Sequence, residues 1–196
     1  ERLLIKKAAL LHDVGHGPFS HVSEYVLAKY AVSNSGSNRE ELHEEITRLA
    51  IKEDLELNRI LKDDISSLLN MLKKPAIRNV RHDIISGPFD ADKLDYLLRD
   101  SYYAGVKYGT FDLERIINTV VEISQGNESY MAVDEDGFWA VEQLILAKHH
   151  MNVQIYRHRV RLITDSMLVR AIDIAIRDKQ EDVKKLYQFT ENKEFT

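Results

Sequence analysis

Leu10-Leu11-His12-Asp13-Val14-Gly15-His16-Gly17-Pro18-Phe19-Ser20-His21 is the run around which the rest of the chain is organised. Three histidines and a carboxylate fall within a short run interrupted by two glycines and a proline. The residues before it, Leu3-Leu4-Ile5 and then 8–11, are apolar on nearly every side, which predicts a buried helix that delivers His12 and Asp13 at its C-terminal end. Gly15 stops that helix, Gly17 lets the backbone turn, and Pro18 suits the first turn of a second helix over residues 18–30. Polar side chains brought out of a buried helix need partners, and a metal ion satisfies imidazole and carboxylate together. The competing reading is a helix end whose histidines are satisfied in the core. It accounts for a lone histidine better than for an adjacent His-Asp pair with two more.

Along the second helix Phe19, Val22 and Val26 keep helical spacing. His21 and Glu24 are three apart, so the carboxylate can reach and orient the imidazole; an ordinary surface pair is the alternative. Residues 31–38 are small, polar and turn-prone, hence a loop. A helix resumes over 39–52 with Leu42, Ile46, Leu49 and Ala50 inward, and on its own residues His43 reads as a solvated helix histidine. Two amphipathic helices follow between 55 and 73, with Leu55, Ile60 and Leu61 in the first and Ile65, Leu68, Leu69 and Leu72 in the second. His82-Asp83 repeats the dipeptide without the apolar helix before it or the Gly-His-Gly-Pro turn after it, and reads as structural.

The second informative stretch spans 85–103. Gly87-Pro88 makes a turn and Asp90 caps the helix behind it. Leu94, Leu97 and Leu98 gather on one face, Asp92, Tyr96, Arg99 and Tyr103 on the opposite one, with Lys93 and Asp100 beside them. A solvated face explains the charges and explains the interleaved tyrosines less well. Gly105 to Gly109 connects to a helix over 113–120 capped by Asp112, and 121–124 with 130–133 predict a β-hairpin around Gln125-Gly126-Asn127-Glu128. A long helix after Gly137 keeps Val141, Leu144, Ala147, Met151 and Ile155 on one face, with His149 and His150 partly off it and not expected to be ligands. Tyr156-Arg157-His158-Arg159-Val160-Arg161 is a basic, aromatic patch that an exposed helix surface would explain equally well. Residues 167–176 continue a helix, and the tail from 178 is polar.

Composition bounds the class. With 196 residues, 44% of them hydrophobic, the chain can bury a sizeable core and is expected to form one domain. Only three prolines and eight glycines leave long helical stretches, so the expected fold class is all-α, a helical bundle with a small hairpin. The absence of cysteine excludes disulfides and thiolate metal sites, and suits a reducing, cytoplasmic setting. No run is apolar enough to span a membrane, so no membrane partner is expected. A net charge of −5 argues against broad nucleic-acid binding and leaves room for a local basic pocket. The chain starts within a helix and lacks an initiating Met, so it reads as a fragment cut at both ends.

The first stretch resembles the signature of the HD-domain metal-dependent phosphohydrolases, and His-Asp-Val-Gly-His-Gly-Pro-Phe-Ser-His is similar to the deoxynucleoside triphosphate triphosphohydrolase branch. Asp-Ala-Asp-Lys-Leu-Asp-Tyr-Leu-Leu-Arg-Asp-Ser looks like the family segment that supplies the last metal ligand and much of the nucleotide pocket. The resemblance implies His12, Asp13 and Asp92 as metal ligands, with a fourth, a histidine, upstream of Glu1. It implies His16 and His43 as groups that neutralise phosphate charge, and His21, oriented by Glu24, in proton transfer. Lys93 would contact phosphate, Tyr96 the sugar, and Asp100 a sugar hydroxyl. Tyr156 matches a Tyr-x-His element facing the nucleotide, and Lys148 stands where relatives often carry arginine, keeping the charge and losing the bidentate fork.

The mixed imidazole and carboxylate set suits Mn, Fe, Ni, Co or Mg better than structural zinc. The implied reaction is attack at the α-phosphorus of a dNTP, releasing deoxynucleoside and triphosphate, by a homo-oligomer that can carry an allosteric nucleotide. Removal of phosphate from a nucleoside monophosphate or another phosphoester is the alternative enzyme. A nucleotide-sensing or nucleic-acid-binding module with a vestigial site is the alternative from another class.

Overall fold

The computed structural model describes residues 1–30 and 42–178, with the backbone alone at residues 23, 27, 28 and 30. The loop expected over 31–38 and the polar tail after 178 lie outside the described residues. The fold is mostly helical with one antiparallel hairpin, as the residue pattern predicts. The helices are α1 (Arg2–Leu11), α2 (His21–Tyr30), α3 (Leu42–Glu53), α4 (Leu55–Leu61), α5 (Ile65–Met71), α6 (Val80–Ser86), α7 (Ala91–Tyr103), α8 (Leu113–Thr119), α9 (Phe138–Met151) and α10 (Arg159–Arg177). Strands β1 (Val120–Gln125) and β2 (Glu128–Val133) stand between α8 and α9. The chain divides into two compact units. One comprises Glu1–Ala9 and Lys73–Arg161, the other the described residues of Leu10–Leu72 and Leu162–Thr196. Among the described residues no helix is long and apolar enough to cross a membrane.

In the first unit the core is built by Leu97 of α7, Ile116 of α8, and Ala140, Leu144 and Met151 of α9. The spacing from Leu144 to Ala147 to Met151 keeps one stripe of α9 inward, as an amphipathic helix must. A π-helical turn over Asn152–Tyr156 follows α9, and Ile155 and Tyr156 pack against the same core. Local chemistry starts each neighbouring helix. Asp90 accepts from the Lys93 N–H at 2.8 Å, Asn79 from His82 at 3.0 Å, and Asp112 from Arg115 at 2.9 Å. The hairpin pairs Gln125 with Glu128, leaving Gly126 and Asn127 to turn, and Gly126 takes the left-handed φ of 62° that such a turn needs.

Asp83, of the second His-Asp dipeptide, ties that hairpin down. Its carboxylate is buried, accepts from Arg78 Nε at 3.0 Å and Nη2 at 3.1 Å, and accepts from the Met131 N–H at 3.0 Å.

In the second unit Val26 of α2, Ile46 of α3 and Ile172 of α10 form the centre, with Leu168 and Ile176 against them. Lys29 of α2 holds the buried Asp173 of α10 in an ion pair. Helix α3 buries Leu42, Ile46, Thr47, Ala50 and Ile51.

Several expectations are corrected here. Only Ala8 of α1 is buried, and Leu10 is 82% exposed. Apolar residues around a helix say what could be buried, whereas burial needs neighbours on every side. Leu49, Leu55 and Ile60 are exposed for the same reason, while Leu61 is buried. The second helix begins at His21 rather than Pro18, because Phe19 and Ser20 have φ of 67° and 51°, which a right-handed helix cannot include.

Candidate active site

Where α1 ends, the backbone tightens into a turn: the Val14 N–H donates to Leu11 O at 3.3 Å and the His16 N–H to Asp13 O at 3.1 Å. Helix α3 clamps this turn. The Gly15 N–H donates to Thr47 Oγ1 at 2.9 Å, and the Thr47 hydroxyl donates to the His12 carbonyl at 2.9 Å. A Cβ on Gly15 would sit 2.3 Å from both His43 O and Thr47 N. Gly15 is therefore required by close approach of two backbones, a different reason from the helix stop expected of it. Beyond Pro18 the two left-handed residues Phe19 and Ser20 re-aim the chain so that α2 begins with His21. Non-glycine residues hold such dihedrals only where surroundings over-determine them, which is commonest at functional sites.

The side chains converge on Glu24, which is 6% exposed. His21 Nδ1 lies 3.1 Å from its Oε1, His43 Nδ1 3.2 Å and His16 Nδ1 3.6 Å. Glu24 thus serves three imidazoles from three chain segments, where the sequence spacing showed only the one at His21. The His16 and His43 rings stack at 4.3 Å and 11°, and His21 meets His16 edge-on at 5.0 Å. On the other side of His16, Asp13 Oδ1 is 3.9 Å from its Nε2 and 3.2 Å from His12 Nε2.

Only His21 completes a hydrogen bond to Glu24; Nδ1 of His16, at 3.6 Å, and of His43, at 3.2 Å, are buried beside the carboxylate without one. Burial, reinforced by His43, holds the His16 imidazole below its ordinary value, against the smaller pull of Asp13 and Glu24. It is therefore neutral at pH 7, the form that ligates metal or accepts a proton. Asp13, His16 and His43 bring one ligand atom each within 4.8 Å of one another, and so do His16, His21 and Glu24.

The other expected residues stand in the first unit. Asp92, Lys93, Tyr96 and Asp100 occupy α7, and Tyr156 closes the π-helical turn. The Tyr156 hydroxyl donates to Asp100 Oδ2 at 2.8 Å, and the Tyr96 and Tyr156 rings meet edge-on at 5.9 Å. Burial, then the bond to Asp100, pushes the Tyr156 phenol well above its ordinary value, so it remains a donor. The Tyr96 phenol is raised by burial and then by Asp92.

Lys93 is already engaged. Its ammonium pairs with the buried Asp90 carboxylate and donates to Gly87 O at 3.1 Å. Lys148 is exposed near the end of α9. Sequence reading missed Thr47 and the pairing role of Asp90. The signal for Thr47 was there: it lies four residues after His43, on the same face of α3.

The His-Asp turn and the helices that present it match the HD domain over residues 1–100, and residues 111–196 match the HD associated region. This chain belongs to the HD-domain family. It is 36% identical, over 93% of its length and 36% of the relative's, to an uncharacterised protein of Methanocaldococcus jannaschii. It is 28% identical to the deoxynucleoside triphosphate triphosphohydrolase SAMHD1 homologue of Dictyostelium discoideum, over 98% of this chain and 38% of that one. The crystal structure of a phosphohydrolase from Bacteroides thetaiotaomicron superposes with a TM-score of 0.70 at 29% identity, covering 90% of this chain and 40% of that one. The chain thus spans little more than a third of the length of the curated relatives it matches.

Proposed function

We propose that this chain carries the working core of a metal-dependent phosphohydrolase that hydrolyses a deoxynucleoside triphosphate to deoxynucleoside and triphosphate. One observation carries the reading: a buried carboxylate close to three imidazoles, two of them with a buried Nδ1 that makes no hydrogen bond, next to the His12-Asp13 pair. Buried polar atoms left this way are unfavourable unless a ligand completes them. The donor set is nitrogen and carboxylate oxygen without sulfur, which fits Mn, Fe, Ni, Co or Mg. His12 and Asp13, joined by Asp92, are the proposed ligands, supported by the two sequence runs that resemble the family signature. A divalent ion held there neutralises charge on phosphoryl oxygens and acidifies water.

The residues of the chain do the rest. His16 and His43, stacked and half-buried, present ring nitrogens to phosphate oxygens. His21, exposed and bonded to Glu24, moves the proton: water attacks the α-phosphorus, the bond to the 5′ oxygen breaks, and the leaving alkoxide is protonated. Tyr96, Asp100 and Tyr156 form the sugar-recognising group: the Tyr156 hydroxyl holds Asp100 Oδ2, and Oδ1, 3.5 Å from Arg99 Nη1, accepts from a hydroxyl of the deoxyribose. Lys93 and Lys148 supply charge for the phosphates, Lys93 on leaving Asp90. The similarity to the Dictyostelium homologue supports the dNTP substrate, and the Bacteroides structure supports the wider class of phosphohydrolase.

The test is the full-length protein with a panel of divalent metals and nucleotides, with products separated. Metal-dependent release of inorganic triphosphate is expected. Release of single phosphate only would shift the reading to a phosphoester phosphatase, and no metal-dependent hydrolysis would overturn it.

A further inference from the structure

We propose that Thr47 is a positioning residue whose hydroxyl fastens the turn bearing His12, Asp13 and His16 to helix α3, and so sets the metal affinity of the site. Thr47 is 1% exposed, and its hydroxyl both donates and accepts. It accepts from Gly15 N–H and donates to His12 C=O, two groups of one turn more than thirty residues away in sequence. A threonine within a helix can turn its hydroxyl back to the carbonyl four residues earlier, which here is His43. Instead Thr47 reaches out of its helix and bridges the turn. The same helix carries His43 one turn before Thr47, so one rigid element both stacks on His16 and grips the backbone of His12. Gly15 completes the clamp, because only a residue without Cβ lets the turn approach close enough for the hydroxyl to span it.

As regards metal, the inference rests on the phosphohydrolase reading above. Groups that orient a ligand from behind typically alter metal affinity or activity about 10–100-fold when removed. Thr47→Val keeps the shape and loses both hydrogen bonds; Thr47→Ser keeps both. Ile51→Val loosens the same helix at a fully buried position one turn on, without touching a hydroxyl.

The experiment titrates the full-length variants with Mn²⁺ alone by electron paramagnetic resonance, and records imidazole resonances of ¹³C-histidine-labelled protein. Thr47→Val is expected to weaken Mn²⁺ binding about 10-fold or more. It should lower kcat with KM little changed and shift the His16 and His43 resonances. Thr47→Ser should restore all three, and Ile51→Val should change none. Should Thr47→Val fail to fold, Thr47→Cys, whose thiol is a weak hydrogen-bond partner, takes its place.

Equal losses in the valine and serine variants, or the same loss in Ile51→Val, would reduce Thr47 to packing and overturn the proposal. If the unsubstituted protein binds no Mn²⁺, the metal reading falls separately. The imidazole spectra then decide: resonances unmoved by Thr47→Val overturn the clamp, and resonances moved by valine and restored by serine uphold it.

Discussion

Gly15→Ala tests the close approach on which the site is built. The added Cβ would lie 2.3 Å from two backbone atoms of α3, His43 O and Thr47 N, and 2.7 Å from Thr47 Oγ1, where ordinary contact begins near 3.4 Å. Turn and helix must therefore part by about 1 Å, and neither neighbour is the flexible end of a side chain. Overpacking of this kind costs about 1–3 kcal/mol, and pulling the buried Gly15 N–H off Thr47 adds about 1–3 kcal/mol. Some relaxation is shared between the two, so a loss of about 3 kcal/mol is expected, against a typical total stability of about 5–15 kcal/mol. With an ordinary urea dependence this moves the unfolding midpoint down by roughly 1–2 M. Amide exchange should rise in peptides covering 10–20 and 42–50, and the His16–His43 stack should loosen. Gly105→Ala is the control: Gly105 is left-handed at φ 68° with open space around it, so it costs about 1–2 kcal/mol of local strain and leaves the histidines alone. A Gly15→Ala protein with an unchanged midpoint and unchanged exchange in those peptides would refute the clamp.

Three further outcomes are expected. Asp92→Ala should abolish hydrolysis and bound metal with helix content by circular dichroism largely intact, whereas Asp83→Ala, which releases Arg78 and the Met131 N–H, should keep metal and loosen the hairpin; full activity without metal in the first variant would remove Asp92 from the site. Asp100→Asn should raise KM with metal still bound, and Tyr96→Ala should narrow the preference for deoxyribonucleotides over ribonucleotides, since it opens the space beside the sugar; steady-state kinetics on matched dNTP and NTP pairs checks both. His16 sits below its ordinary imidazole value of about 6.5, so the unfolded chain takes up its proton first, and stability is present above that pH and lost as pH falls through the folded value. Denaturation in EDTA from pH 7 to pH 5 should therefore show a decline that His16→Asn flattens; an identical decline in the variant would assign it to other groups.

Much of this protein is legible without coordinates. Asp90, Asp112 and the Gln125-Gly126-Asn127-Glu128 turn act through neighbours three residues away or fewer, so their caps and hairpin follow from local chemistry alone. The stripe from Leu144 to Met151 is equally readable, because helical periodicity is a property of consecutive residues. The His-Asp run and the residues around Asp92 are dense enough in unusual chemistry to name the family before any fold is known.

Relations between residues far apart in sequence come from the folded chain alone. Spacing pairs Glu24 with His21; only folding brings His16 and His43 to the same carboxylate. Periodicity placed Leu49, Leu55 and Ile60 inward and α1 in a core, and their exposure depends on which neighbours the fold supplies. Lys93 looks free beside Asp92 until α7 turns its ammonium onto the buried Asp90. Thr47 carries no signature of its own, and its role exists only because Gly15 lets a turn thirty-two residues upstream come within hydrogen-bond reach of its hydroxyl.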